Sequence, residues 1–318
     1  MSVQVDHREI SEMRQEQELE DKSLGPHTVA LLGERGGKYP DANALLVRGK
    51  ERTVLVDAPL GVLRRLERGA LPPIDAVILS HAHEDHLPAL SALPDVELWV
   101  HAADCPGLAS LDAFLDVFGY PEPDRSEWAR VVVERFRFLP RPEARGFEGE
   151  YRWELGGGVA ITAVHAPGHT RGHCVLRVIP DDVLFLADLD LSSFGPYYAD
   201  AWSDLAELER TLERAASWRA RIYLTGHHVG VIDDDTTYLE RLARYREKIT
   251  SRESRLFDFL AEPRTLDEMV AHRFVYRPHD DVSGIERTER ATALRHLESL
   301  ERAHRVRRSG EGRWLATP

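Results

Sequence analysis

The chain has 318 residues, 42% of them apolar and 30% charged, with a formal net charge of −13. That length suits one large domain, or one domain with a small companion, and the apolar fraction is ample for a packed core. Two cysteines, Cys105 and Cys174, exclude a disulfide-stapled scaffold; no apolar run nears the ~18 residues of a membrane span, and a start containing Asp6, Glu9 and Glu12 lacks a signal-peptide layout, so a soluble cytoplasmic protein is expected.

Residues 2–22 are highly charged, with Ile10, Met13 and Leu19 as the main apolar points, and read as a surface helix or arm within an N-terminal segment 1–24. Thr28 to Leu32 reads as a strand. Gly33 to Asp41 is a glycine-rich loop without the GxxxxGK[ST] pattern, so Gly33, Gly36, Gly37 and Lys38 are weak evidence for phosphate binding. Ala44–Val47 and Thr53–Val56 are strands joined by a turn at Gly49-Lys50, the second ending in Asp57. Leu60–Glu67 is a short helix. Ala76–Leu79 is a buried strand that runs into His81-Ala82-His83-Glu84-Asp85-His86, and Leu87–Leu90 fits the first turn of a helix. Glu97–Val100 is a strand ending at His101, and Pro106–Phe118 a helix with apolar points at Leu108, Leu111, Phe114 and Leu115.

From Gly119 to Glu154 periodicity is poor, although the many aromatic residues predict order; the segment either lines a substrate pocket or covers the sheet. Val159–Val164 is a strand leading to His165-Ala166-Pro167-Gly168-His169-Thr170. Cys174–Ile179 and Val183–Ala187 form a hairpin, followed by Asp188 and Asp190. Leu205–Trp218 is a helix, Ile222–Leu224 a strand ending at Gly226-His227-His228, and Thr237–Ile249 a helix. Asp57, His81, His101, His169, Asp188 and His227 all stand just beyond a strand. That recurrence predicts one crevice at one edge of a sheet.

The last part changes character. Arg252–Leu260, Leu266–His272 and Arg287–Arg302 read as helices, and His304–Arg308 with Arg313–Ala316 as a hairpin across Ser309-Gly310-Glu311-Gly312, a winged-helix pattern over 246–318. From Arg241 onward 17 Lys/Arg stand against 13 Asp/Glu, a surplus of four, so the first 240 residues carry −17. An acidic main body does not suit a surface that wraps nucleic acid. Glu286, Glu289, Glu298 and Glu301 on the candidate recognition helix weigh the same way.

Three imidazoles and two carboxylates within six residues are costly to bury unless paired or metal-bound. His81 and His83 are two apart, so on an extended segment both face one ion; Asp85 and His86, one step on, can serve a second. His169 can complete the first set, Asp188 can bridge, and His227 can complete the second. His227 is preferred to His228 because it directly follows Gly226. Two divalent ions would activate a shared water. Mixed nitrogen and oxygen donors suit zinc, iron, manganese or cobalt without choosing among them; zinc is the expected metal, with iron or manganese as alternatives. His173 reads as a buried, hydrogen-bonded histidine, His165 as structural, and His101 as a residue near the crevice. Tyr197 and Tyr198 are candidates for substrate contact, with packing the equal alternative. Neither cysteine has a nucleophile setting, and no G-x-S-x-G elbow accompanies the histidines.

This set resembles the metallo-β-lactamase fold superfamily of hydrolases. His81-Ala82-His83-Glu84-Asp85-His86 matches its HxHxDH signature, and Pro167-Gly168-His169-Thr170 is similar to the loop of its third histidine. Asp188 and Thr225-Gly226-His227 stand where its bridging carboxylate and last ligand are expected, and Asp57 resembles its supporting aspartate. The resemblance implies a mixed α/β (α+β) fold, a four-layer αβ/βα sandwich over about residues 25–245, with the winged-helix-like segment after it. The tail, beginning Arg252-Glu253-Ser254-Arg255, resembles the lactamase-like protein 2 subgroup, which includes nucleases acting on single-stranded RNA. Glu84, and Leu87-Pro88-Ala89-Leu90 in place of a glycine pair, depart from the common pattern.

The expected function is a metal-dependent hydrolase in which a dinuclear centre activates hydroxide toward a small ester, thioester, lactone or amide. Asp85 and Asp188 are its expected catalytic carboxylates. A phosphodiesterase or endoribonuclease acting on short single-stranded RNA is the alternative within enzymes. A DNA-binding or metabolite-sensing protein is the alternative outside them. The expected partner is a small molecule, nucleic acid is not favoured, and a dimer is compatible with the sequence.

Overall fold

The computed structural model describes residues 20–282 and 284–317, apart from the side chain of Glu311. The charged arm expected over residues 2–22 therefore lies outside the described residues as far as position 19. Its end forms an exposed edge strand, β1 (Asp21–Ser23).

Among the described residues two sheets face one another. The first runs β1, β2 (Thr28–Leu31), β3 (Ala44–Arg48), β4 (Thr53–Val56), β5 (Ala76–Ile78), β6 (Glu97–His101) and β7 (Arg145–Phe147) in spatial order. Its first half is antiparallel, and β4 to β7 are parallel. The second comprises β8 (Tyr151–Gly156), β9 (Val159–His165), β10 (Cys174–Ile179), β11 (Val183–Ala187), β12 (Ile222–Thr225) and β13 (Val231–Ile232), in the reverse spatial order. Only β11 and β12 pair in parallel there. The two-residue β13 has too few residues to show a period and is not legible in the sequence.

The central strands are near-continuous apolar runs, as a sheet buried on both faces requires, and successive residues point to opposite faces. Leu45, Val47, Val54, Val56 and Ile78 meet Ile161, Leu176, Val178 and Phe185 between the sheets. The alternate residues face outward. Leu46, Leu55, Val77 and Leu98 pack under helices α1 (Leu60–Glu67) and α2 (Leu111–Phe118). Val175, Leu184, Leu186 and Tyr223 pack under α4 (Leu205–Ala215) and the first half of α5 (Asp235–Phe259). The result is helix, sheet, sheet, helix. The segment from Gly119 to Glu154 supplies α3 (Asp124–Glu134), β7 and most of β8.

Two expected helices, Thr237–Ile249 and Arg252–Leu260, are one. Helix α5 runs unbroken for 25 residues from its Asp234 cap, whose side chain accepts from Thr237 N. No glycine or proline interrupts it, and apart from buried Arg252 its charged residues lie wholly or partly exposed. Pro106–Phe118 divides instead, into a 3₁₀ turn at Cys105–Leu108 and α2, because Ser110 caps α2 through Ala113 N. After α5 come α6 (Leu266–His272), α7 (Ile285–Arg302) and a hairpin of β14 (Val306–Ser309) and β15 (Arg313–Ala316). Leu256, Leu260, Met269, Phe274, Leu297, Leu300 and Trp314 form a core of their own here.

This last core meets the rest through a segment around residues 194–200. Arg252 of α5 is buried and donates to Pro196 O at 2.6 Å and Phe194 O at 2.7 Å, with its guanidinium against the Tyr198 ring. Replacing it by leucine strands both carbonyls. Arg252→Leu is expected to cost about 1–3 kcal/mol, read as a lower urea midpoint with an unchanged m-value.

Candidate metal centre

Parallel pairing brings the site together. In the first sheet Val56 pairs with Ile78, so Asp57 and the run toward His81 leave β4 and β5 side by side. In the second, Ala187 pairs with Thr225, so Asp188 and His227 leave β11 and β12 side by side. Gly226 permits this approach, since a Cβ there would lie 2.9 Å from Ala187 O and 3.1 Å from Asp188 Oδ1. The site therefore forms at the carboxyl ends of parallel strands, where open α/β sheets place their ligands.

Two groups result. His81, His83, His169 and Asp188 form the first, and Asp85, His86 and His227 the second; within each, the donor atoms lie within 4.8 Å of one another. Asp188 faces both. Its Oδ2 lies 3.2 Å from His169 Nε2 and 3.9 Å from His81 Nε2. Its Oδ1 lies 3.0 Å from His86 Nε2 and 3.4 Å from His227 Nε2. Asp85 Oδ2 lies 3.2 Å from His227 Nε2. All seven side chains expected as ligands are in these two groups. His228 is not: it is partly exposed and lies 3.9 Å from Asp190.

The outer nitrogens explain which way the rings present their lone pairs. Nδ1 of His86 donates to Asp57 Oδ2 at 2.8 Å, that of His169 to Tyr197 O at 3.0 Å, and that of His227 to Gly37 O at 2.7 Å. Ser80 Oγ donates to Asp57, so it accepts from His81 Nδ1 at 3.0 Å. With the protons committed outward, each Nε2 is turned to the centre. Nε2 of His81, His83, His86 and His169, and Oδ1 of Asp188, are buried without a hydrogen-bond partner. Buried polar atoms in such number require a partner the protein does not supply. Donors bonded to one tetrahedral ion at ~2.0–2.1 Å stand ~3.4 Å apart, close to the separations found. The residues fit two divalent ions.

The charges agree. Burial, then neighbouring histidines, hold His81 and His83 well below the usual imidazole range, neutral and able to bind a metal. Burial also opposes protonation of His86, His169 and His227, but facing carboxylates outweigh it and raise all three. Burial would raise Asp188, yet four surrounding imidazoles hold it well below the carboxylate range. A cation can take over the role of those protons.

Supporting residues divide into those legible in the sequence and those that are not. Asp57 is fully buried and also accepts from Ser80 N at 2.7 Å. His173 is the buried, hydrogen-bonded residue expected: Nδ1 donates to Ala166 O and Nε2 accepts from Asp188 N. The glycine-rich loop braces His227 through Gly37, and Asn43 holds that loop by donating to Gly36 O and Thr225 O. Leu87-Pro88-Ala89-Leu90 is buried against the first sheet's helices, so its departure from the common pattern serves packing. Glu84 is buried, accepts from Tyr39 at 3.1 Å, and is raised by burial and then by Asp85.

Asp200 is not legible in the sequence, because it follows no strand and lies in no motif. Its Oδ2 is 3.4 Å from His83 Nε2, and its Oδ1 accepts from Tyr120 and Tyr197 at 3.4 and 3.3 Å. Burial pushes its carboxyl up to about 6. Tyr197 therefore stands beside the centre, whereas Tyr198 is buried against His296 at 2.9 Å. Phe118 stacks on His83, and Trp128 and Tyr120 pack on Phe118, so the start of the 119–154 segment walls the site while its end covers the sheets. His101 and His165 stack on each other with ring centroids 3.9 Å apart, and neither joins the two groups. Burial raises both cysteine thiols, so neither is an activated nucleophile.

The profile of the metallo-beta-lactamase superfamily matches residues 40–248. The chain belongs to this superfamily. Its fold and two candidate metal-binding groups are those of a metal-dependent hydrolase. Among curated superfamily relatives, a Drosophila melanogaster protein named beta-lactamase-like protein 2 homolog is 23% identical over 254 residues, 77% of this chain and 72% of its own length. A Gallus gallus protein named acyl-coenzyme A thioesterase MBLAC2 is 31% identical over 166 residues, 46% of this chain and 57% of its own. The crystal structure of superfamily protein TTHA1429 from Thermus thermophilus has a TM-score of 0.71 at 22% identity, covering 93% of this chain and all of that one. Among the described residues no helix is long and apolar enough to cross a membrane.

His101 also lies outside the two metal groups. Burial, then His165, lower His101 to about 4, against ~6.5 for a free imidazole. Its folded pKa is depressed, so its contribution is present above pH ~6.5 and lost as pH falls toward 4. Thermal unfolding of metal-free protein is expected to fall in Tm through that window. His101→Phe, which keeps a ring against His165, is expected to flatten the profile.

Proposed function

We propose that the chain is a dinuclear hydrolase of small carbonyl substrates, with His81, His83, His169 and Asp188 holding one ion, and Asp85, His86, His227 and the other Asp188 oxygen the second. The observation that carries this reading is the convergence of partnerless Nε2 atoms and Asp188 Oδ1 on one buried point. Zinc is the first choice of metal, with iron or manganese as alternatives. When bound, the ions would supply Lewis acidity and a lowered water pKa. The protein's own part is to fix the donors, exclude water and keep the imidazoles in one tautomer. Asp85 faces His86 and His227 and is placed to hold a proton passed from the attacking water.

The wall around the first group favours a carbonyl over a phosphodiester. It presents Glu84, Asp200, Tyr120 and Tyr197. The Arg287 guanidinium lies over Tyr120 at 3.7 Å and pairs with Asp124 at 3.1 Å. An anionic backbone would meet carboxylates here. Thioesters stand first among carbonyl substrates on the likeness to the Gallus gallus thioesterase. Lactones and esters follow, and cleavage of short RNA is the second reading, on the likeness to beta-lactamase-like protein 2.

We assign the catalytic unit to residues 25–245 and a winged-helix-like unit to 246–318. The separate apolar core of the last helices and hairpin supports this division. Helix α7, the candidate recognition helix, has part of its surface occupied within the protein, which supports a packing role. Arg295 donates to Asp200 O, and buried Glu289 accepts from Phe274 N, Val275 N and Tyr276 N.

A panel of acyl-coenzyme A thioesters, lactones, esters, a model phosphodiester and short RNA tests the reading. Turnover of a thioester or lactone is expected, with about two ions per chain by elemental analysis. Asp188→Ala and His83→Ala are expected to lose ~10³-fold or more in kcat/KM, several kcal/mol of transition-state stabilisation. Turnover of the RNA alone, or full activity in both variants, overturns the proposal.

A further inference from the structure

We infer that Asp104 is a positioning residue that fastens the three histidines of the first metal group to one another, a role that no strand-end motif announces. The inference rests on the ligand groups proposed above. Asp104 follows β6 and is fully buried. Its Oδ2 accepts from Ala82 N at 3.0 Å and from Thr170 Oγ1 at 2.6 Å. Its Oδ1 accepts from Gly172 N at 2.7 Å. Ala82 is the residue between His81 and His83, and Thr170 directly follows His169. One carboxylate therefore grips the peptide between two histidines and the residue beside the third.

The arrangement is close-fitting. A Cβ on Gly172 would lie 2.7 Å from Asp104 Cγ, so the histidine loop can approach only because that position is glycine. The second group is held by other means: His86 by Asp57 and His227 by Gly37 O. None of its members contacts Asp104 or its three donors through a described hydrogen bond. Loss of Asp104 should therefore loosen one ion and leave the other.

Asparagine cannot replace the carboxylate, because three donors reach two oxygens and an amide supplies one. Whichever way it is turned, a backbone N–H meets an NH₂ group. Removing a partner that orients metal ligands typically costs 10–100-fold in affinity. Thr170→Val removes one donor with little change in volume, and Thr170→Ser restores it.

The test is a cobalt(II) titration of full-length chain freed of metal, followed by visible absorption and by bound metal after dialysis. His227→Ala supplies the signature of a weakened second group. Asp104→Asn is expected to weaken one binding step by ~10–100-fold, with the signature of the first group, and to leave the other step in place. Thr170→Val is expected to shift the same step less, and Thr170→Ser to recover it. Equal weakening of both steps, or none, in variants that remain folded by circular dichroism overturns the inference. If Asp104→Asn does not fold, the Thr170 pair decides on the same criterion. If the parent chain binds one ion, the dinuclear reading fails by itself, and the inference then stands or falls on whether Asp104→Asn or Thr170→Val weakens that ion.

Discussion

The rest of this molecule depends on a cluster of imidazole nitrogens buried face to face. Placing such groups together out of water is unfavourable by desolvation and, once any are protonated, by repulsion. The fold accepts the arrangement by giving the outer nitrogens of His81, His86, His169 and His227 an acceptor and leaving the inner ones for a cation. The acceptors come from different places: Asp57 at the end of β4, Tyr197 O before α4, and Gly37 O in the loop after β2. The constraint on the centre is thus spread over both sheets. It explains why a site of seven residues requires a scaffold of more than 200.

Much of this is legible because the ligands follow strands of regular pattern. The short continuous apolar runs Ala44–Val47, Thr53–Val56 and Val183–Ala187 mark buried sheet, and each informative histidine or aspartate follows a run of this kind. Spacing of two between His81 and His83 is meaningful on an extended segment without any knowledge of the fold. What escapes is of another kind. Asp200 and Asp104 come into position through contacts far along the chain, 66 residues in the bond from Thr170 to Asp104. A lone aspartate carries no periodicity that points to such a partner. Helix α5 reads as two helices parted between Ile249 and Arg252 because the polar pair Thr250-Ser251 resembles a connection, whereas one face of it remains buried through Tyr245, Ile249, Arg252 and Leu256.

The C-terminal elements illustrate how composition can mislead. Their surplus of Lys/Arg suggests a surface for polyanions, but several of these side chains turn inward. Arg252 serves two backbone carbonyls, Arg295 a third, and Arg287 pairs with Asp124 of α3. A guanidinium offers five donors in a fixed plane and is well suited to satisfying loop carbonyls that no sheet reaches. Here those carbonyls belong to the segment that carries Tyr197 and Asp200. The basic character of the tail is thus partly the means by which an irregular stretch beside the centre is kept in one conformation.

The unbroken α5 also has a bearing on how this chain can be cut and rejoined. Its first half contributes Tyr238, Leu242 and Tyr245 to the core over the second sheet, and Leu256 lies in the terminal core. A helix that belongs to two cores has no neutral point of severance. Recombination between relatives would succeed more readily in a loop such as that around Ala261–Pro263 than in the 240s, where a junction would pass its mismatch directly into both cores. The two parts of the chain share one helix, so neither core can be exchanged without the face that the helix presents to the other.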